Sequence, residues 1–385
     1  MKRIPIANAV LMLALCAMWA MLSAALLPQA RVHDFLNLYT GATLAHEGNF
    51  AGLHDPQAQL AVERRLVPQV ATLVPFVRPR FYALLLSPMA LLPYKIAFPL
   101  WIAVQCALLF ACWVWAWRRF GPDALVFAAL AISAPLGIAS GQDCVVMLAI
   151  LIVAFELAER EKLVVSGAVL ALMLVKFHLI LLWPLALVVQ KRWRMLGGFA
   201  AMAAVEVLIS IVPGGAQAVH SYAALLTNKS LDRLSPSPER MISFEGLLAN
   251  AGIENSWVAG LFILAVISVL LWSLRGAPLW KLFSLTACAS LLVVPHVYGY
   301  DAALLLLPLW LTIFQSTARA PKIVATLMTT PLPFGFAMAD KPWAVLSSLS
   351  LTVFFVLLAL TTREVEESAA GTNLAPGAIT SSPAS

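Results

Sequence analysis

Charge is what this sequence has least of. Only 11% of its 385 residues are Asp, Glu, Lys or Arg, against about 25% in an ordinary soluble domain. That scarcity excludes a solvated globular surface, and 62% apolar residues exclude a disordered chain. Cysteine is also sparse. Of five, Cys16, Cys106, Cys112 and Cys288 lie inside apolar runs and Cys144 begins one. None has metal-ligand spacing, so they read as inert buried thiols rather than a disulfide framework. Strict apolar–polar alternation is missing too, which argues against a membrane β-barrel.

What the chain does have is long apolar runs, such as "IPIANAVLMLALCAMWAMLSAALL" and "LTVFFVLLAL". A hydrocarbon core takes about 20 helical residues to cross. The expected fold class is therefore an all-α polytopic membrane protein. The net charge of +6 then reads as topology and not as nucleic-acid affinity. The apolar segment from Ile4 to Leu27 is longer than a signal-peptide core and reads as a retained first helix.

Short loops rich in Lys and Arg stay in the cytoplasm. These are Lys2/Arg3, "RRFG" (118–121), "EREK" (159–162), "QKRWR" (190–194), "RGAPLWK" (275–281), "RAPK" (319–322) and Arg363. Pairing spans between them gives about twelve helices with both termini inside. They run over 4–27, 95–117, 122–139, 143–158, 163–175, 177–190, 195–212, 256–274, 279–294, 299–316, 322–338 and 343–361. Residues 163–175 and 177–190 are read as half-depth helices turning at "KFH", and 81–93 as re-entrant or interfacial. Residues 1–362 form one membrane domain, and 363–385 a polar, disordered cytoplasmic tail.

This arrangement puts nearly every unusual polar residue on the outer side. Asp34 opens an amphipathic stretch just past the first helix, where an aspartate also suits an N-cap. Arg78 and Arg80 flank Pro79; they can snorkel to headgroups or clamp a phosphate. Gln142 and Asp143 form a short turn, with Asp143 placed to cap the next helix. Lys176 and His178 interrupt an otherwise uncharged run, and ionisable groups at membrane depth usually face a polar cavity or a partner. In "PHVYGYD", Asp301 can cap a helix, which leaves His296, Tyr298 and Tyr300 to account for. Asp34, Asp301 and His296 can meet around an ion, although the sequence contains no obvious metal cluster.

Taken in order, five segments resemble glycosyltransferase family 87, a group of GT-C-like polytopic transferases, mannosyltransferases among them. They are "DFLNLYTGATLAHEGNFAGLHDP", "PFVRPRFYALLLSPMALLPY", "SGQD", "SGAVLALMLVKFHLILLWPLALVVQKRWR" and "VPHVYGYDAALLLLPL". Arg78-Pro79-Arg80 stands where the family often has Tyr-Pro-Pro, and Lys176-Phe177 where it has Lys-Pro. The resemblance implies a polyprenyl-phosphate sugar donor, carrying mannose or a related sugar such as arabinose, and a glycan or glycolipid acceptor. It implies Asp34 as the general base and no dedicated cofactor. Arg78, Arg80, Gln142, Lys176, His178, His296, Tyr300 and Asp301 would bind the donor phosphate or sugar. The expected setting is a bacterial inner membrane, with the site, by the loop charges, facing the periplasm or cell exterior. The competing readings are a transporter or flippase of lipid-linked sugars, which needs access from both sides, and a non-catalytic assembly subunit.

Overall fold

A computed structural model describes residues 6–30, 34–228, 237–336, 339 and 341–361. The tail beyond 361, Lys2/Arg3 and Arg363 lie outside these residues. Among the described residues all regular structure is helical. The first half runs α1 (Ile6–Ala30), α2 (Asp34–His46), α3 (Pro56–Leu66), α4 (Arg80–Leu86), α5 (Tyr94–Phe120), α6 (Asp123–Leu130), α7 (Ser133–Ala139) and α8 (Cys144–Glu159). Then come α9 (Leu163–Ala171), α10 (Phe177–Ile180), α11 (Leu182–Val189), α12 (Trp193–Ile211) and α13 (Gly215–Leu226). The last part has α14 (Phe244–Ala251), α15 (Ser256–Ser273), α16 (Leu279–Val293), α17 (Leu306–Gln315), α18 (Arg319–Met328), α19 (Pro331–Gly335) and α20 (Val345–Leu360).

Four stretches among the described residues are long and apolar enough to cross a membrane: 94–120, 163–180, 193–211 and 256–273. The remaining apolar segments are shorter or broken, so the expected twelve spans do not stand as twelve full-length helices. The expected 122–139 span, for example, is α6 and α7 with a break before Ser133 and Pro135. Exposed apolar side chains such as Val207, Leu208, Leu261 and Leu264 cover α12 and α15, as lipid-facing helices require.

The basic loops gather at one end. Arg119 pairs with Glu159 at 2.6 Å, tying "RRFG" to "EREK". Gln190 donates to the Leu274 and Ala277 carbonyls, and Lys281 to the Thr361 carbonyl at 3.0 Å. Phe120 stacks on Phe314 at 4.9 Å, which brings the approach to "RAPK" to the same end.

Residues 163–189 turn back on themselves. A Cβ on Gly167 would stand 1.8 Å from the Met195 carbonyl oxygen, and one on Gly198 1.9 Å from that of Val164. The first turns of α9 and α12 therefore touch backbone to backbone, as small residues allow between membrane helices. Because α9 and α12 start side by side, the chain must rise and return between them. The reversal falls after the 3₁₀ turn Leu172–Lys176, where Lys176 leaves helical geometry at φ −111° and ψ 67°. The reversal falls at "KFH", where the loop charges put it.

At the opposite end α2, α3 and α4 build a layer over the bundle. Gln59 threads it, donating to the Leu53 and Phe76 carbonyls and accepting from Phe76 N. Glu63 is fully buried and accepts from Val74 N at 3.1 Å. Segment 80–93 starts and ends at this end: Phe81 N donates to Ser210 Oγ, and Tyr39 donates to the Leu92 carbonyl.

Two predictions follow from this packing. Gly167→Ala and Gly198→Ala should each cost about 1–3 kcal/mol by overpacking. Gly197→Ala, with nothing within 4 Å of the added carbon, should be neutral or stabilising by up to about 1 kcal/mol in the same thermal unfolding series. The second concerns Glu63, whose carboxyl burial pushes up to about 7 against the Val74 N–H bond. The unfolded chain releases that proton near pH 4.5 while the folded chain keeps it, so stability falls between pH 4.5 and about 7. Glu63→Gln should gain on wild type across that window, by up to about 3 kcal/mol, and then level off. A pH-independent difference would refute the assignment.

Candidate active site

The site is built where the half-depth hairpin meets two turns. Lys176, 3% exposed at the hairpin tip, donates to Asp301 Oδ1 at 2.6 Å and lies 3.1 Å from Asp143 Oδ1. Arg78 Nη2 reaches the same Asp143 oxygen at 3.1 Å and Gln142 Oε1 at 3.4 Å. Cys144 Sγ bridges the group, 3.6 Å from both Lys176 Nζ and Asp301 Oδ1. Two cations thus meet two carboxylates away from water. Neither aspartate caps its helix through its side chain. Asp143 is consumed by Arg78 and Lys176, while Asp301 Oδ2 accepts from Tyr298 N at 3.2 Å and so folds its own loop.

Backbone donors and apolar packing hold each turn. Gly141 has φ +74°, and a Cβ there would stand 2.9 Å from Phe35 Cβ, so only glycine fits. Trp101 donates to the Gly141 carbonyl at 3.0 Å, and Gln105, fully buried in mid-α5, donates to the Gln142 carbonyl. The 295–301 loop is pinned by Ile242 N donating to the Val297 carbonyl at 2.9 Å.

The Phe35–Gly141 contact sets Asp34, the first residue of α2, beside the "SGQD" turn. Asp34 is within electrostatic reach of Tyr298 and Tyr300. Tyr300 in turn carries Lys176 Nζ 5.7 Å from its ring centroid. His296 is exposed at the rim with its ring edge-on to Tyr298 at 5.1 Å. His178 is half-buried, within electrostatic reach of Arg78, Asp301, Lys176 and His296. The fold therefore brings Arg78, Gln142, Asp143, Lys176 and Asp301 into direct contact, with Asp34, Tyr300, His178 and His296 around them.

Arg80 goes elsewhere. Its Nη1 donates to the Ser210 carbonyl at 2.7 Å and its Nη2 to the Phe50 carbonyl at 3.1 Å. Arg78 and Arg80 thus point to different partners across Pro79. No group of three or more His, Cys, Asp or Glu that could hold a metal occurs among the described residues.

The profile of glycosyltransferase family 87 matches residues 76–295, more than half of the chain. The chain belongs to glycosyltransferase family 87. Membership makes it a membrane glycosyltransferase. No curated protein and no solved structure matches it. The family match holds Arg78, Arg80, Gln142, Lys176 and His178. Asp34, His296, Tyr300 and Asp301 fall outside it and join the site through the contacts above.

Sequence reasoning missed Cys144, Gln105 and Trp101 as parts of this site. Gln105 carried a readable signal, an amide inside "LWIAVQCALLF". Removing one charge from the cluster should expose its interdependence. Lys176→Met leaves two buried carboxylates facing each other and should cost about 3–5 kcal/mol in detergent unfolding. Lys176→Met with Asp301→Asn should lose less than Lys176→Met alone.

Proposed function

We propose that the protein transfers a sugar from a polyprenyl-phosphate donor to an acceptor hydroxyl, with Asp34 as the general base. The observation that carries this reading is the seat of Asp34. Phe35 packs on Gly141, so the carboxylate stands beside the "SGQD" turn and within reach of Tyr298 and Tyr300. In the reaction, the acceptor oxygen forms a bond to the sugar C1 as the C1–O bond to phosphate breaks. Asp34 takes the acceptor proton, and polyprenyl phosphate leaves with the bonding electrons. The reacting carbon gains oxocarbenium character, as in glycoside hydrolysis.

The leaving phosphate needs donors as its charge grows. In this reading His296 at the rim, Tyr300 and Arg78 supply those donors. Lys176 already serves two carboxylates, so its contribution is to hold the turn and the 295–301 loop in register. The basic end of the bundle is the cytoplasmic one on the positive-inside rule, which makes the site face outward. Donor entry is then from the bilayer, and mannose or a pentose such as arabinose is the expected sugar class. A GT-C-like architecture in a bacterial inner membrane, with both termini cytoplasmic, completes this reading.

Membranes bearing the protein, given a panel of polyprenyl-phosphate sugars, should release polyprenyl phosphate and form a new glycoside. Asp34→Asn should lower that turnover by about a hundredfold or more while the protein accumulates normally. Near-normal turnover in that variant would remove Asp34 from the role of base. Vectorial movement of lipid-linked sugar without a glycoside product would replace transfer by transport.

A further inference from the structure

On the far side of Pro79 from the ion cluster lies a cavity of about 300 Å³, bounded by α4, α12, α13 and the hairpin tip. Its walls are apolar, with Phe81, Leu174 and Phe177 among them. Its mouth carries Val207 and Val219, which are 51% and 49% exposed on helix faces rich in other exposed apolar residues. Such a mouth opens to lipid rather than to water.

Into this cavity faces Glu206, 2% exposed, in the last third of α12, a helix long and apolar enough to cross a membrane. Neither of its carboxyl oxygens has a hydrogen-bond partner among the described residues. A buried carboxyl group without a partner is costly enough to demand an explanation. The cation lining the same cavity, Arg80, has both terminal nitrogens donating to the Ser210 and Phe50 carbonyls, and its Nε is unpartnered. Its fork is therefore turned to the backbone and not presented bidentately, which is how a guanidinium best holds a phosphate. His54 closes the inner end, its Nε2–H on the Arg78 carbonyl at 3.0 Å and its ring stacked on Tyr222 at 4.3 Å. Burial, opposed by that hydrogen bond and assisted by the Arg80 charge, holds this imidazole down to about 4. It is neutral and adds no second cation.

We propose that this cavity binds a neutral, hydroxyl-bearing amphiphile drawn from the bilayer, with Glu206 as the hydrogen-bond partner of its hydroxyls. A carboxylate accepts from a hydroxyl and a carboxylic acid also donates to one, so the pairing holds in either form. The chain lies along Phe81, Leu174 and Phe177, and Pro79, next to Arg78 in sequence, forms part of the same wall. Resting on the transferase reading, this ligand is the acceptor lipid.

The test reads binding without donor, on the full chain held in amphipol, by calorimetric titration with decyl glucoside and with decyl phosphate. Wild type should bind the glucoside more tightly than the phosphate. Glu206→Leu should weaken glucoside binding by about tenfold, and Glu206→Gln by no more than about threefold, as expected for one or two hydrogen bonds in an apolar site. Val219→Trp, at the exposed mouth, should block binding by bulk and keeps the test alive if Glu206→Leu fails to fold. Tighter binding of decyl phosphate, or unchanged glucoside binding in Val219→Trp, would overturn the proposal. Glucoside binding with this variant pattern, in a chain that transfers no sugar, would support the cavity and overturn the transferase reading alone.

Discussion

Lys176 held between Asp143 and Asp301 is the interaction on which the rest of the structure depends. It is the point where three distant stretches of chain are obliged to meet. The hairpin tip supplies the cation, the "SGQD" turn one carboxylate and the "PHVYGYD" loop the other. An ammonium in this setting cannot be left half-paired, because desolvation costs several kcal/mol per ion. The cluster therefore works as a register device: any other placement of the hairpin strands a charge among apolar side chains. Arg78 extends the same constraint to a fourth segment and brings the sum of formal charges to zero.

That neutrality bears on catalysis. In the proposed transfer, a cation committed to two carboxylates is a poor counter-charge for a leaving phosphate but a good anchor for the loops around it. The division of labour resembles a preorganised site, in which the rigid polar interior fixes geometry and the rim meets the substrate. Asp34 obtains its place in the same way. Its neighbour Phe35 packs on the glycine of the turn, which sets Asp34 beside it.

Much of this was legible in the sequence, because charge is expensive in lipid. Basic loops predicted one end of the bundle, and the reversal at "KFH" followed from keeping "EREK" and "QKRWR" together. The fold shows both. Interrupting charges likewise marked Lys176 and Asp301. What could not be read was who pairs with whom. Arg78 and Arg80 are two residues apart and look like one clamp, yet α4 begins at Arg80, so the backbone turns at Pro79 and the two side chains part. They accordingly serve opposite sides of Pro79. Asp143 and Asp301 both stand where helices begin and invite a capping reading, but a buried lysine outcompetes a helix N–H for a carboxylate. The number of full spans was not legible either, since proline and 3₁₀ turns break apolar runs into pieces that hydropathy alone joins.

Glu206 shows the rule applied unevenly. Its setting, "AMAAVEVLIS", is as apolar as that of Lys176, and the same cost argument marks it. The lysine's partners are protein carboxylates, and its burial is thereby accounted for within the fold. The glutamate's oxygens meet no protein donor among the described residues, which leaves them open to a donor from a bound molecule. In a cavity that opens toward lipid, the available donors are the hydroxyls of bilayer molecules. The two buried groups thus divide by where their partners lie: Lys176 finds its own within the fold, and Glu206, on the proposed reading, finds its own in a bound lipid.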